Sequence, residues 1–321
     1  MTILFFGRTQ GNSGPDNVNR AYDTHLSSRF LRAEPGGGIP GLLRDLGKLL
    51  RCRVLVVSGL SRKGCILMGA AKLLGRKTLY MMHGCAKFER EVNHLRSERP
   101  LRQERFLMGH CDRILAVSRR YREWLAERYP QHAEKLDFLN PGIPELPPRD
   151  PEGKRIPGSI LAAGADREIK NNLPLARAVE ELGGGFHLEV CGAGYHGNPF
   201  ANFQYSRYLG LLSQEDYWAK LRQTELFVVN STVESFGLSA LEALSCGCSL
   251  LVSENAGVCD LLELQEKDII YDPLDTEELK NKIRWLQAHP NHARLRARKW
   301  THADAAAALE AICFRLEGGN P

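Results

Sequence analysis

The sequence predicts an α/β protein built from two doubly wound domains, and three observations lead there. Short apolar runs alternate with segments of helical periodicity along the whole chain. A proline-rich seam divides it near the middle, and the two halves differ in the sign of their charge. Strand–helix alternation gives parallel sheets with helices on both faces, and 321 residues suffice for two domains of ordinary size.

In the first half the strand candidates are Ile3–Phe6, Val54–Ser58, Thr78–Met82, Ile114–Val117 and Leu136–Leu139. Between them Leu42, Leu43, Leu46, Leu49 and Leu50 recur at helical spacing, as do Tyr121, Trp124, Leu125 and Arg128. In the second half the strands are Ile160–Ala163, His187–Cys191, Leu226–Asn230, Ser249–Val252 and Ile269–Tyr271. Helical patterns lie at Leu173–Leu182, Leu238–Ser245 and Glu277–Leu286, and a long Ala-rich helix is expected from Asn291 to Leu316. Five strands are thus expected in each half. The seam at 141–158 holds six prolines and three glycines and fits neither helix nor inner strand. We therefore expect a first domain over 1–145, a linker over 146–157 and a second domain over 158–298. The last segment, 299–321, is expected to pack back on the first domain.

Composition excludes several classes. With 43% hydrophobic and 25% charged residues the chain is not disordered throughout. No apolar run approaches the ~18 residues of a membrane-spanning helix. The opening MTILFFGR is too short for a signal-peptide core and reads as a first strand. Nine cysteines form no CxxC pair, and Cys246 and Cys248 alone make no zinc knuckle; reduced thiols in a cytoplasmic protein are expected.

Residues 1–150 hold 26 Lys or Arg and 15 Asp or Glu, a balance of +11; the remaining 17 and 23 give −6, and the sum is the whole-chain +5. The basic half suits an anionic membrane surface or a phosphorylated acceptor. Its densest stretch is Arg96, Arg99, Arg102 and Arg105. Zinc-finger spacing and aromatic-rich strands of RNA-binding type are lacking, so no nucleic-acid partner is expected.

The most informative segment is 226–257. A buried strand ends near Asn230, a polar loop Ser231–Ser235 follows, and a helix opens around Phe236–Leu238 and stops at Gly247. Unpaired N–H groups and partial positive charge at such a helix start receive a phosphate. Glu234 precedes that start and Glu242 lies about one turn inside. Two acceptor-only carboxylates beside a phosphate suit hydroxyls, as on ribose and a sugar ring; a surface carboxylate and a dipole partner are the plain alternative.

In this segment the chain resembles the retaining glycosyltransferases of family 4, of the bacterial polysaccharide and lipopolysaccharide type. The resemblance rests on Glu234-Ser-Phe236-Gly237-Leu238, Glu242-Ala-Leu-Ser-Cys-Gly247 and Asn255-Ala-Gly257. Ala116-Val-Ser118, Asn140-Pro-Gly142-Ile143 and Tyr271-Asp-Pro-Leu-Asp275 fall in the family's order. It implies the GT-B fold, two Rossmann-like domains facing a cleft. It also implies transfer of a sugar from a nucleotide-diphosphate sugar, more often uridine than guanosine, to a glycan or lipid-linked glycan. The setting would be the cytoplasmic side, peripheral at the inner membrane face, with no cofactor and no metal; the chain has no D-x-D pair.

The resemblance further assigns roles. Glu234 would meet donor-sugar hydroxyls, Glu242 the ribose, and the N–H groups of Phe236, Gly237 and Leu238 the sugar–phosphate end. Lys170 matches one member of the family's diphosphate-binding pair; Ala165 replaces the usual Arg, leaving Arg167 as a stand-in. His83, in a His-Gly step at a strand end, would stand near the transferred sugar. The loop 7–20 would touch diphosphate and acceptor, with Gly14 as the close backbone contact and Asn12, Ser13 and Asn17 toward the acceptor. A loop at Tyr208–Gly210 would meet the base. His94 and His110 are expected to be structural.

Two other readings exist. Gly192-Ala-Gly194-Tyr-His-Gly197 spells the GxGxxG of an NAD(P)-binding oxidoreductase, but Asn198-Pro199 breaks the helix that pattern needs. A degenerate transferase that only binds glycan is the non-enzyme alternative.

Overall fold

The computed structural model describes residues 2–11, 13–94, 96–143, 154–164, 167–194, 197–295 and 297–318. Its contacts divide the chain into two units, residues 1–144 with 299–321, and residues 145–298. The chain is α/β, with one six-stranded parallel sheet in each unit.

In the first unit the strands are β1 (Ile3–Gly7), β2 (Phe30–Ala33), β3 (Val54–Ser58), β4 (Lys77–Met82), β5 (Arg113–Ala116) and β6 (Leu136–Phe138). Their order is β2-β1-β3-β4-β5-β6. The inner strands ILFFG and VLVVS are buried along their whole length, as parallel strands covered on both faces must be. Helices α1 (Gly14–His25), α2 (Gly38–Leu50), α3 (Arg62–Leu73), α4 (Ala86–Val92), α5 (Arg99–His110) and α6 (Arg119–Arg128) make the crossovers. Side chains start several of them: Ser61 caps α3, and Ser118 caps α6 by accepting from the Tyr121 N–H.

The second unit holds β7 (Ser159–Ala163), β8 (His187–Cys191), β9 (Ser206–Gly210), β10 (Leu226–Val229), β11 (Ser249–Ser253) and β12 (Ile269–Ile270). Their order is β12-β11-β10-β7-β8-β9. The crossover helices are α7 (Asn172–Leu182), α8 (Gln214–Gln223), α9 (Leu238–Ser245) and α10 (Thr276–Ala288). Ile160, Leu188, Val228 and Leu251 form the sheet side of a core that Leu175, Val179, Leu279 and Ile283 cover.

Each sheet has one strand more than the five expected. β2 (FLRA) and β9 (SRYLG) are short edge strands carrying an Arg, and each has only one hydrogen-bonded neighbour. Half-exposed edges tolerate polar residues, so no apolar run marks them. Tyr208–Gly210 is accordingly the end of β9 rather than a loop. The last helix, α11 (His302–Glu317), starts about ten residues later than expected. Before it residues 292–294 form a turn and Ala297 is bridged to Leu262, and Thr301 caps the helix in a reciprocal box with Asp304.

α11 belongs to the first unit and packs on α1 and β4. Glu310 pairs with Arg29 at 3.1 Å, and Arg29 also lies over the Phe314 ring. The return is made at Asn140-Pro-Gly-Ile143. Trp300 Nε1 donates to the Asn140 carbonyl at 2.9 Å, and the Ile143 N–H donates to the Trp300 carbonyl at 2.7 Å. Gly142 has φ +85°, and a Cβ there would stand 2.7 Å from His302 backbone atoms. The expected linker over 146–157 lies outside the described residues as far as residue 153; 154–157 run irregularly into β7.

Gly142→Ala combines a left-handed backbone with a backbone clash. We expect it to lower stability by ~1–3 kcal/mol, read as a drop in melting temperature. A melting temperature equal to wild type would contradict this docking of the last helix.

Candidate active site

In open parallel sheets functional groups collect beyond the carboxyl ends of the strands. In the second unit those ends carry Lys170, Glu234 and the start of α9. β10 runs out at Val229, and Asn230 turns the chain. Its side-chain amide donates to the carbonyls of Asn171 at 3.1 Å and Pro273 at 2.9 Å, and Asn171 Nδ2 donates back to the Asn230 carbonyl at 2.9 Å. Asn171 also donates to Thr232 Oγ1 at 2.9 Å, and the Thr232 N–H reaches the Ile169 carbonyl. These reciprocal amides clamp the turn Glu168–Lys170 to the loop after β10. The clamp places the Lys170 ammonium on Glu234, in a charge-assisted, half-buried pair. Gly164 makes room: a Cβ there would lie 2.9 Å from Lys170 Cγ.

Glu234 is held by its backbone. Its N–H donates to the Asn255 carbonyl, and its carbonyl accepts from the Gly257 N–H at 2.9 Å. Gly237, at φ +94°, is the N-cap of α9, and no side chain caps the helix. The first-turn N–H groups at Gly237 and Leu238 therefore have no capping side chain, beside a Lys–Glu pair. Gly247 ends α9 as expected, at φ +82° with its N–H on the Leu244 carbonyl. Glu242 lies on α9. Burial pushes its carboxyl up to about 7, with the Trp218 indole N–H pulling the other way.

Arg167 is exposed and opens the turn that ends in Lys170. Ala165 and Asp166 lie outside the described residues. After β8 the Gly192-Ala-Gly194 turn leads through Phe200 to β9 and not to a helix. The GxGxxG reading thus lacks the helix N-terminus on which a pyrophosphate would sit, and its Tyr195 and His196 lie outside the described residues.

In the first unit a cavity of about 620 Å³ opens at the carboxyl ends of β1, β3 and β4, with Arg8, Ser13, Asp16, Asn19, Ser58 and His83 among its lining. The loop after β1 is braced. Arg8 grips Asp16 through two contacts of 2.9 Å, and Arg20 Nη2 donates to the Gly11 carbonyl at 2.6 Å. Burial raises the Asp16 carboxyl, but bonds from Ser13 and the Arg8 charge outweigh it and leave it below its usual range. Ser13 lines the cavity, yet its N–H and hydroxyl both donate to Asp16 in a capping box. Its hydroxyl is therefore committed to the helix start rather than offered to an acceptor. Asn17 is exposed, accepts from Arg20 Nη1 and is not part of the cavity lining; its neighbours Asp16 and Asn19 are. Asn12 lies outside the described residues. A Cβ on Gly14 would meet nothing within 4 Å, so the backbone there is open to a close approach.

His83 follows β4 and is fixed by residues that the sequence did not single out. Asn19 Nδ2 donates to the Arg8 carbonyl at 3.0 Å, which turns Oδ1 toward Ser58 Oγ at 2.5 Å. The single Ser58 proton goes to that oxygen. His83 Nε2, 2.7 Å from Ser58 Oγ, must then be the donor. Burial lowers the His83 pKa to about 4 against the opposing pull of Asp16, so the ring is neutral at pH 7. A neutral imidazole has one N–H, and Nδ1 keeps its lone pair. The turn beyond it is pinned by buried Glu104 of α5, which accepts from the Ala86 N–H and from Tyr129 Oη at 2.8 Å. His110 Nδ1 donates to the Phe106 carbonyl of its own helix at 2.8 Å. Among the described residues no group of three or more His, Cys, Asp or Glu is placed to hold a metal ion. All nine cysteines are free thiols.

Comparison with known proteins adds the family. A model described as Glycosyltransferase Family 4 matches residues 3–145, and one described as Glycosyl transferases group 1 matches residues 204–300. Anabaena HepE, solved with UDP and glucose, superposes with a TM-score of 0.66 at 15% identity, over 99% of this chain and 97% of that one. The lipopolysaccharide outer core galactosyltransferase WaaB gives 0.60 at 14%, over 99% and 98%. The catalytic domain of Arabidopsis thaliana starch synthase IV, bound to ADP and acarbose, gives 0.68 at 10%, over 99% of both chains. At these identities the likeness shows the fold, which is GT-B. A search of curated protein sequences gave no match.

The Ser58 hydrogen bond can be read directly. In ¹⁵N-histidine spectra we expect His83 to keep a protonated Nε2 and a bare Nδ1 from pH 8 down to about 5. Ser58→Ala should mix the tautomers while leaving the fold intact. An Nδ1–H form in the wild type would refute the relay. The sign for stability follows: a depressed imidazole pKa means that the unfolded chain binds the proton first, so stability from His83 is lost as pH falls from about 6.5 toward 4.

Proposed function

The chain belongs to the family 4 and group 1 glycosyltransferases, and from that premise we propose that it transfers a sugar from a nucleotide-diphosphate sugar to a glycan with retention of anomeric configuration. The observation that carries this reading is the Lys170–Glu234 pair beside the uncapped start of α9. A cation and a row of N–H groups suit a diphosphate, and a neighbouring carboxylate suits sugar hydroxyls. The HepE complex with UDP and glucose supports a UDP-sugar as donor. WaaB supports an acceptor of the lipopolysaccharide or cell-surface polysaccharide kind. We place the enzyme on the cytoplasmic side, peripheral at an anionic membrane. Among the described residues no helix is long and apolar enough to cross a membrane.

The chemistry follows from these groups. Before the donor binds, Lys170 and Glu234 neutralise each other. An arriving diphosphate competes for the ammonium, and Glu234 turns its acceptor oxygens to the donor sugar. The N–H groups of Phe236, Gly237 and Leu238 hold the sugar–phosphate end, Glu242 accepts from the ribose, and Arg167 adds positive charge. Gly14 offers backbone to the diphosphate, and His83 offers Nδ1 to a sugar hydroxyl. The bond from the anomeric carbon to the phosphate oxygen breaks, and the acceptor oxygen bonds to the same face. The acceptor proton passes to the departing phosphate oxygen, whose growing charge Lys170 and the helix dipole stabilise. Glu234 positions and does not act as a base. Lys170 and α9 do the electrostatic work a metal ion would otherwise do, so the reading includes no metal.

Screening UDP- and GDP-sugars by thermal shift and hydrolysis tests this reading, since a ligand of the native state raises the melting temperature. Glu234→Ala should lower turnover by about 10²–10³-fold with the fold retained, and Lys170→Ala should weaken UDP binding in calorimetry. Wild-type turnover in the first and unchanged affinity in the second would remove both residues from the site.

Glu242 gives a pH signature. Ribose hydroxyls donate more strongly to the ionised carboxylate, which accepts at both oxygens, so UDP affinity should rise as pH passes through about 7, and Glu242→Gln should flatten the rise. A carboxyl raised from 4.5 favours folding below its unfolded value and loses that contribution by about pH 7. Glu242→Gln should therefore raise the melting temperature more at pH 8 than at pH 5.

A further inference from the structure

Helix α2 buries Leu49 and half-buries Leu42 and Leu46, but it also carries apolar residues on its outer side. It turns Gly41, Asp45 and Leu49 into the protein and Ile39, Leu43 and Leu50 to solvent. Those three are 74%, 62% and 60% exposed, and at ~100° per residue they share one stripe. Asp45 can face inward because Lys63 of α3 meets it at 2.6 Å and Lys48 at 3.0 Å. Helix α3, packed beside α2, repeats the pattern. It buries Leu67, Met68 and Ala71, while Ile66 and Leu73 face out together, Leu73 at 91% exposure. Two adjacent helices thus present Leu and Ile where a water-facing surface needs polar residues.

The segment that carries this face is basic, with Lys72 paired to Asp112 at 2.7 Å and Arg53 to Glu317 at 3.6 Å from other parts of the unit. Residues 35–77 contain five Arg and four Lys against a single acid, Asp45, which is fully buried. Arg44, Arg51 and Arg62 flank the stripes in sequence and are exposed. An apolar stripe with a cationic border fits the boundary of a bilayer, with Leu and Ile among the acyl chains and Arg at anionic headgroups. A second copy of this chain fits poorly, because a two-fold contact would set the same cationic border against itself.

The face also adjoins the cavity of the first unit. Pro35, just before α2, and Gly59–Ser61, just before α3, line it. Lys63 Nζ ties the two approaches together by donating to the Glu34 carbonyl at 2.8 Å and the Gly36 carbonyl at 3.2 Å.

We propose that the outer face of α2 and α3 docks on an anionic bilayer and sets the mouth of the His83 cavity at the headgroup level, where a lipid-linked acceptor presents its glycan. This rests on the peripheral-membrane part of the proposed function and gives it a place. It does not rest on the identity of the donor.

Co-sedimentation of the full chain with vesicles tests it. Phosphatidylcholine vesicles containing 30 mol% (~30%) phosphatidylglycerol should carry the wild type down, and pure phosphatidylcholine should not. The double variant L43D/L73D should bind the anionic vesicles at least about tenfold more weakly, the scale of two leucines denied burial. A triple exchange of Arg44, Arg51 and Arg62 to Ser should abolish the lipid selectivity. Both variants should melt like wild type and hydrolyse a soluble nucleotide sugar at the wild-type rate. Wild type that ignores anionic vesicles would overturn the inference and the membrane part of the reading together. Wild type that binds while L43D/L73D binds equally would overturn the surface alone. A dimer that L43D/L73D dissolves, with no vesicle binding, would assign the face to a second copy and overturn the proposal. Hydrolysis by the wild type reports separately on the transferase reading.

Discussion

The reciprocal side-chain amides of Asn171 and Asn230 are the constraint on which the second unit's chemistry depends. A lysine and a glutamate 64 residues apart in sequence meet only because the turn ending in Lys170 is fastened to the loop after β10. Each amide satisfies a buried backbone carbonyl that would otherwise be costly to leave unpaired. The clamp therefore serves folding and positioning at once. Without it the ammonium would be a flexible surface charge, and the helix start at Gly237 a generic anion site.

The first unit solves a similar problem with neutral groups. Asn19, Ser58 and His83 pass hydrogen bonds in one direction, from imidazole to hydroxyl to amide to the Arg8 carbonyl. Direction is set at the far end, by a backbone carbonyl that can only accept. A buried imidazole held this way keeps one tautomer without a carboxylate partner. Electrostatic pairing in one unit and hydrogen-bond polarity in the other give each side chain a single available state.

Much of the fold was legible in the sequence because buried parallel strands write themselves as apolar runs, and Gly237 and Gly247 bracket α9. The edge strands β2 and β9 were not, since one open edge leaves room for Arg32 and Arg207. The approach of Lys170 to Glu234 was within reach of the sequence, because both stand in fixed order around a strand end and a helix start. Ser58 and Asn19 were not: each is an ordinary polar residue until the fold brings His83 and helix α1, 25 and 39 residues from Ser58, against it. Loop residues misled in the other direction. Ser13 reads as a ligand donor but spends its hydroxyl on Asp16, a use visible in sequence only as the Ser-x-x-Asp spacing. Periodicity gave the Leu repeat of α2, whose Leu42, Leu46 and Leu49 lie toward the inner side with Gly41 and an ion-paired Asp45, but not the exposure of Leu43 and Leu50.

The return of α11 to the first unit has a consequence for how the molecule is made. Its strands emerge from the ribosome before residues 145–298, and the helix that covers α1 emerges after them. During synthesis the second unit can complete its core as a contiguous stretch, while the earlier one waits with the apolar side of α1 bare. The nascent protein thus finishes its younger half before its older one.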